Sequence, residues 1–213
     1  MPWSSNATFL VEVACAADST LAIYKPGRGE RPLWDFPRGL SRREVAAWHL
    51  SARLGWNVVP ETVLRDGPLG EGSVQRFVNH DPEVHHFTLV TDDAHHERLR
   101  RICAFDVIAN NTDRKSGHCL LGEDGRIWAI DNGLCFHPEP KLRTVIWEFG
   151  AEPVAAEIVA DIERLLEVLP AGLDTYLDEE ELDAVAERAR LLVGVGTFPV
   201  PDSYHRPYPW PLV

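Results

Sequence analysis

The chain has 213 residues and a formal net charge of -12, with apolar and charged fractions of 45% and 25%. This length and composition are typical of a soluble globular protein built as one domain or two small lobes. The excess of acidic residues disfavours binding to nucleic acid and standing attachment to an anionic membrane, and no apolar run is long enough to cross a bilayer.

The N-terminus and the cysteines indicate the compartment. The first residues, Met1-Pro2-Trp3, do not begin a signal peptide. The cysteines form no close pair in the sequence, which indicates reduced thiols rather than a disulfide framework: Cys15, Cys103, Cys119 and Cys135. We therefore expect a cytoplasmic protein without a stable membrane anchor.

Two apolar runs near the start of the chain predict antiparallel strands, Phe9–Ala14 and Leu21–Lys25, on either side of a short polar turn. Small polar residues, SSNAT at positions 4–8, precede the first run. Such a stretch is either a surface turn or a loop whose N–H groups and hydroxyls can bind phosphate oxygens. It contains no G-x-G-x-x-G sequence, which argues against a protein-kinase glycine-rich loop.

A helix is predicted from residue 42 to residue 54 by apolar residues at helical spacing, and Gly55 ends it. Ser41 with Glu44 three positions later is a capping-box signature. Glu44 has a second interpretation, because a carboxylate on this helix can instead form an ion pair with Lys25. The two roles compete for one side chain.

Two further strands are predicted over residues 58–64 and 72–78, joined by a glycine-rich turn. The polar sequence N-H-D-P follows the second strand and indicates a boundary between two lobes. We place these lobes at residues 1–79 and 80–213.

Two aspartates flank a predicted hairpin in the second lobe. Short apolar runs at 119–121 and 127–130 surround a D-G turn, which predicts a β-hairpin. Asp113 precedes the first strand and Asp131 follows the second, so the hairpin brings their carboxylates together. Converging carboxylates are unfavourable unless a cation or a substrate proton lies between them. Protein kinases use this arrangement for catalysis and magnesium binding, whereas the alternative is an ordinary hairpin with two solvated aspartates in turns.

Three more helices and a tail complete the chain. The helices are predicted from residue 91 to 110, from about 153 to 169 and from about 178 to 193, the last with a capping box at its start. The proline-rich tail from 199 to 213 should run extended and pack its aromatic side chains onto the core.

The sequences N-T-D-R, which contains Asp113, and A-I-D-N-G-L-C-F, which contains Asp131, resemble the catalytic and metal-binding segments of the phosphatidylinositol 3/4-kinase superfamily. The type II phosphatidylinositol 4-kinases and their bacterial relatives are the most similar members. Two motifs at this spacing, with suitable elements upstream, are much more specific than a lone D-N-G turn. The resemblance implies a two-lobed kinase-like fold with ATP in its cleft.

The resemblance assigns the catalytic and metal-binding roles. Asp113 is the carboxylate that orients or deprotonates the acceptor hydroxyl, and Arg114 places positive charge beside it. Asp131 holds the metal ion, and His118 stands where the superfamily has an asparagine ligand for a second metal. Imidazole suits manganese or zinc better than magnesium, so His118 either assists with a changed metal preference or leaves one ion to act. ATP with Mg²⁺ or Mn²⁺ is the expected cofactor set.

The resemblance also implies the phosphate-binding residues. Lys25 takes the position of the strand lysine that grips the nucleotide phosphates. We favour the ion-pair interpretation of Glu44, because kinases show the same order of strand lysine and helix glutamate. Ser5, Asn6 and Thr8 correspond to the serine-rich phosphate loop of the lipid kinases.

The adenine site is expected where the last strand of the first lobe ends, with Gln75, Phe77 and Val78 as candidates. The expected architecture is α+β, a two-lobed protein-kinase-like fold with a reduced C-lobe. The expected reaction transfers the γ-phosphoryl group of ATP to a hydroxyl acceptor, which is either a lipid head group or a protein. Two alternatives are a nucleotide-binding pseudokinase that acts through partners and a nucleotidyltransferase that uses the same cleft.

Overall fold

The computed structural model describes residues 7–15, 18–202 and 206–213. Within these ranges, four antiparallel strands form one sheet with the order β1-β2-β4-β3. The strands are β1 (Phe9–Cys15), β2 (Asp18–Pro26), β3 (Thr62–Gly67) and β4 (Gly70–Arg76).

Helices and a small hairpin make up the rest of the described chain. One helix lies between β2 and β3 in the sequence, and the other elements follow β4. They are α1 (Leu40–Arg53), α2 (His86–Leu89), α3 (His96–Ala109), β5 (Cys119–Leu121), β6 (Ile127–Ala129), α4 (Ala156–Val168) and α5 (Glu179–Val195).

The segment predicted as a strand from residue 58 begins its β-structure only at Thr62. The N–H groups of Val58 and Val59 donate instead to the hydroxyl of Ser51 on α1, at 2.8 and 3.2 Å. The carbonyl of Val58 accepts the N–H of Ala129 in β6 at 2.7 Å. These residues therefore connect α1 to the hairpin, and this use of their backbone groups excludes them from the sheet.

Helix α1 begins differently from the prediction. Gly39 precedes it in the left-handed conformation, with φ of 95°, and contributes no side-chain cap. The carboxylate of Glu30, in the loop after β2, accepts the N–H groups of Gly39 at 3.1 Å and of Ser41 at 2.8 Å. The capping box predicted for Ser41 and Glu44 is therefore wrong, because Glu30 supplies the capping oxygens and Glu44 pairs with Lys25.

The other helix starts follow local sequence signals. Asp178 and Glu181 form the predicted capping box of α5, with bonds of 2.9 and 3.0 Å between each side chain and the other's N–H. Helix α3 starts later than predicted, at His96, because a 3-10 turn precedes it. Asp92 caps that turn by accepting the N–H of Ala94 at 3.0 Å.

The main hydrophobic core joins α1 to the helices that follow the sheet. It contains Leu50 of α1, Phe105 of α3, Ile162 of α4 and Val185 of α5, all buried. The boundary between residues 79 and 80 therefore does not separate two cores. In the described part of the chain, no helix is both long enough and apolar enough to cross a membrane.

The described part of the C-terminal tail is held by its backbone rather than by its aromatic rings. The carbonyl of Pro207 accepts the N–H of Thr144 at 3.1 Å, and that of Leu212 accepts the N–H of Ser116 at 2.7 Å. Tyr208 and Trp210 are 42% and 75% exposed. The prediction that these aromatic side chains pack onto the core is therefore wrong for both residues.

The start of α1 gives a test of stability. Glu30→Ala is expected to lower the free energy of unfolding by about 1–2 kcal/mol, because two N–H groups at a helix start lose a charged acceptor. Urea denaturation measures the change. Glu187→Ala removes an exposed carboxylate within α5 and is the matched control, with an expected change below about 0.5 kcal/mol. Equal losses in the two variants would show that Glu30 does not hold α1.

Candidate active site

The β5–β6 hairpin brings its two flanking segments together. The N–H of Ile130 donates to the carbonyl of His118, and the N–H and hydroxyl of Thr112 both donate to the carbonyl of Leu134, each at 3.0 Å. The carboxylate of Asp131 is therefore close enough to Asp113 to contribute to raising its pKa. The predicted hairpin is confirmed.

Lys25 connects the sheet to both α1 and the D-N-G turn. Its ammonium pairs with Glu44, and it lies 2.9 Å from Oδ1 of Asp131. Burial would lower the pKa of Lys25, but the two carboxylates outweigh burial and raise that pKa above its ordinary value. The lysine is therefore positively charged at every physiological pH, and the ion pair predicted between Lys25 and Glu44 is present.

Glu44 also fixes the turn that carries Asp131. Its side chain is 4% exposed, and its second oxygen accepts the N–H of Asn132 at 3.1 Å. Gly133 lies directly against α1, where an added Cβ would come within 3.3 Å of the Cβ of Leu40. The absence of a side chain at Gly133 therefore lets the turn reach the carboxylate of Glu44.

Asp131 combines backbone strain, exposure and ionisation. Its φ of 58° lies in the left-handed region, which is uncommon for a residue with a side chain. Its side chain is 52% exposed. The charge of Lys25 holds the pKa of Asp131 well below the ordinary value for an aspartate, against the effect of burial. The carboxylate is therefore ionised and accessible.

Asp113 lies in a different environment. Its N–H donates to Oδ1 of Asn111 at 2.9 Å, and its Oδ2 is 3.1 Å from Nζ of Lys115. Burial raises the pKa of Asp113 to about 6, and this effect exceeds the opposing effect of the Lys115 charge. A carboxyl group that titrates near neutral pH is suited to accept and release a proton.

Arg114 is fully buried, which corrects its predicted placement beside the acceptor. Its guanidinium binds both carboxylate oxygens of Asp106 at 2.9 to 3.1 Å. It also donates to the carbonyl of Ile130 at 2.6 Å and to Oδ1 of Asn132 at 2.7 Å. Arg114 therefore supports the catalytic segment from within, and the cation beside Asp113 is Lys115.

The ring of His118 lies beside the carboxylate of Asp131. The N–H of Lys115 donates to Nδ1 at 3.3 Å, which places the proton of the neutral ring on Nε2. That nitrogen lies 3.4 Å from Oδ2 of Asp131. Burial lowers the pKa of His118 to about 4, so the ring is neutral at physiological pH. His118 is therefore a neutral ring next to Asp131, and its role as a metal ligand stays a prediction.

The chemistry of Asp131 fits a hard divalent cation. Carboxylate oxygen is the ligand that Mg²⁺ prefers in proteins. Across the described ranges, no group of three or more His, Cys, Asp or Glu side chains is placed to hold a metal ion. A metal on nucleotide phosphates needs few protein ligands, because phosphate oxygens and water complete its shell. A single carboxylate, that of Asp131, is therefore sufficient as the protein ligand of such a metal.

Thr8 of the predicted phosphate loop lies at the same end of the sheet as Lys25. Phe9 pairs with Tyr24 across β1 and β2, so Thr8 lies at the end of the sheet that carries Lys25. The other two candidates, Ser5 and Asn6, lie outside the described residues. Of these three predicted residues, the structure therefore places only Thr8.

Two of the adenine candidates have internal partners. Gln75 is buried in β4, and its Nε2 donates to the hydroxyl of Thr62 at 2.9 Å. The N–H of Phe77 donates to the carbonyl of Leu21 at 3.0 Å. The predicted adenine contacts come from backbone groups at the end of this strand; the N–H of Phe77 is not available for that contact, and Gln75 pairs with Ile23 and Thr62 within the sheet. Val78 packs with Leu120, Trp128 and Ile130 next to the hairpin.

Asp106 is a supporting residue that the sequence analysis missed. Besides Arg114, it accepts Nδ2 of Asn111 at 3.1 Å and the hydroxyl of Thr144 at 3.3 Å. Its position inside the apolar part of α3 was a usable signal, because a buried acid requires partners. Asn132 carried no comparable signal, because its partners come from distant parts of the sequence.

These features define the class of protein. The site combines a strand lysine paired with a helix glutamate and two aspartates that flank a hairpin. This combination is found in the cleft of protein-kinase-like folds. Residues 60–187 match the family model described as "Phosphatidylinositol 3- and 4-kinase". The chain belongs to this family.

A curated relative and two solved structures agree with this assignment. Protein Rv2133c of Mycobacterium tuberculosis (strain ATCC 25618 / H37Rv) is 39% identical over 246 residues, which covers 98% of this chain and 88% of that protein. The Helicobacter pylori proinflammatory kinase CtkA shares the fold with a TM-score of 0.52 at 12% identity, over 92% of this chain and 90% of that chain. Hydra Fam20, solved with sugar, has a TM-score of 0.50 at 14% identity, over 90% of this chain and 82% of that chain. The predicted kinase-like α+β fold is confirmed.

The contrast between Arg114 and Asp113 can be tested by denaturation at neutral pH. Arg114→Ala should lower the free energy of unfolding by about 3–5 kcal/mol, because it leaves Asp106 buried and unpaired. Asp113→Asn should not lower it. The pKa of Asp113 is raised to about 6 in the folded chain, so at neutral pH the ionised carboxylate lowers the free energy of unfolding. An uncharged amide at this position does not carry that cost. An Arg114→Ala variant as stable as the parent would contradict the supporting role of Arg114.

Proposed function

We propose that this protein is an ATP-dependent phosphotransferase that moves the γ-phosphoryl group to a hydroxyl acceptor. The observation that carries the proposal is the direct contact between Lys25 and Asp131, with Asp113 nearby. The first two groups are charged at every physiological pH, and the third titrates near neutrality. Phosphoryl transfer requires such a set, because phosphate charge must be stabilised while one hydroxyl proton is removed.

Lys25 binds nucleotide phosphates in this proposal, and Glu44 positions it. Thr8 at the edge of the sheet, with Ser5 and Asn6 before it, supplies further contacts to phosphate oxygens. The base lies where the chain beyond β4 passes the hairpin at Val78, and the carbonyl of Phe77 contacts it. A divalent cation, Mg²⁺ or Mn²⁺, held by Asp131 would neutralise phosphate charge.

Asp113 orients the acceptor hydroxyl and receives its proton. Its pKa of about 6 leaves it mostly ionised at neutral pH, yet basic enough to take a proton during transfer. Lys115, 3.1 Å from this carboxylate, places a positive charge where acceptor or γ-phosphate oxygens approach. The acceptor class is a hydroxyl of a lipid head group or of a protein, and we propose that the protein acts in the cytoplasm.

The catalytic role of Asp113 gives the first functional test. Asp113→Asn should bind ATP as tightly as the parent but lose turnover by about 10²-fold or more, because an amide cannot accept the proton. Turnover is measured with labelled ATP, Mg²⁺ or Mn²⁺, and a panel of lipid and protein acceptors. In the parent, kcat/KM should fall as the pH drops through about 6, where Asp113 becomes protonated.

The matched control is Asp66→Asn, which removes an exposed carboxylate of β3 and should leave turnover unchanged. Equal turnover in the parent and in Asp113→Asn would exclude Asp113 as the base. ATP binding by the parent without turnover on any acceptor would identify a pseudokinase instead.

The metal site gives a second test by calorimetry. Asp131→Ala should lose the dependence of ATP affinity on Mg²⁺ while remaining folded, because it removes a half-exposed carboxylate and no core volume. His118→Asn should keep that dependence, because the carboxylate of Asp131 remains to hold the metal. A His118→Asn variant without metal dependence would return His118 to the metal shell.

A further inference from the structure

A cavity of about 670 Å³ lies between α1, the loop after the D-N-G turn and the start of α5. Its lining comes from residues 37–43, 137–139 and 174–181, and includes none of Lys25, Glu44, Asp113 and Asp131. This volume is in the range of small-molecule pockets. The cavity is therefore separate from the candidate active site.

One wall of the cavity contains a buried arginine with an unused donor. Arg43 is 4% exposed and pairs with Glu181 across the cavity. Its Nε is buried and has no hydrogen-bond partner among the described residues. That Nε has almost no accessible surface, so a ligand in the cavity does not reach it, and the ion pair of Arg43 with Glu181 serves to join α1 to the start of α5.

Two exposed arginines extend this wall. Arg38 precedes α1 and Arg42 lies in its first turn, next to Arg43. Neither side chain forms a hydrogen bond or an ion pair with another residue in the described part of the chain. Arginine is the side chain best suited to bind phosphate and carboxylate groups, because its planar donors match two oxygens at once.

The opposite wall is acidic, and part of that charge is already engaged. Asp178 and Glu181 accept each other's N–H groups at the start of α5, and Glu181 also pairs with Arg43. Asp174 and Glu180 are exposed on this wall and have no such partner within the described ranges. A simple anion would meet repulsion from these two carboxylates, whereas an ammonium group would pair with them.

We propose that this cavity binds a small molecule with an oxyanion, phosphate or carboxylate, at the arginine wall and an ammonium group at the acidic wall. Arg38 and Arg42 hold the oxyanion, and Asp174 and Glu180 hold the ammonium group. Binding at this site does not depend on catalysis. Because Arg42 and Glu44 both lie in α1, the ligand would also bind the helix that positions Lys25.

Calorimetry with three probes tests the proposal: O-phosphoethanolamine, inorganic phosphate and ethanolamine. O-phosphoethanolamine should bind at least about 10-fold more tightly than either of the other two, because it alone engages both walls. The double variant with Arg38→Ala and Arg42→Ala should weaken its binding by about 10-fold or more. These residues are chosen because Arg43→Ala would leave Glu181 buried without its partner.

Two controls distinguish binding in this cavity from binding elsewhere on the protein. Arg190→Ala removes an exposed arginine of α5 outside the cavity and should bind like the parent. Excess ATP with Mg²⁺ should leave binding of the probe unchanged, and competition between ATP and the probe would move the probe to the nucleotide site and overturn the proposal. The proposal also fails if the parent does not bind O-phosphoethanolamine, if ethanolamine binds equally tightly, or if the double variant matches Arg190→Ala.

Discussion

The buried carboxylate of Glu44 is the group on which the rest of the site depends. One oxygen pairs with Lys25 of the sheet, and the other accepts the N–H of Asn132 at 3.1 Å. Asn132 in turn accepts a hydrogen bond from Arg114, which is paired with Asp106 in α3. Sheet, helix α1, turn and catalytic segment are thus joined by one continuous line of polar contacts. Each of its members is expensive to leave unpaired, because almost all of them are buried.

Asp113 and Asp131, the two aspartates of the proposed reaction, lie at the edge of this network. Their surroundings shift their pKa values in opposite directions. Direct contact with Lys25 lowers the pKa of Asp131 and keeps it ionised. Burial raises the pKa of Asp113 to about 6. A permanent carboxylate suits a cation, and a titrating one suits a proton. The buried network therefore holds rigid the two groups whose distinct environments the reaction requires.

Patterns confined to neighbouring residues predicted local structure well. The hairpin at 119–129 followed from two apolar runs around a D-G turn, and the start of α5 from a capping box, because turn and cap preferences act over a few residues. The start of α1 was predicted wrongly from the same kind of signal. Ser41 and Glu44 have the right spacing, but Glu30 from a preceding loop supplies the cap and Lys25 attracts Glu44. Local preference was overridden by charges brought near through folding.

The sequence by itself determined the kinase-like α+β fold and marked Lys25, Glu44, Asp113 and Asp131 as candidate site residues, because the order and spacing of such motifs are properties of the chain. Only the tertiary structure decided how their neighbours are used. Arg114 turns inward because Asp106 of α3 lies buried beneath it, which leaves Lys115 beside Asp113. The Nε2 of His118 lies 3.4 Å from Asp131, and the N–H of Lys115 donates to the other ring nitrogen. The direction in which a side chain points depends on partners that packing supplies, and no spacing along the chain encodes them.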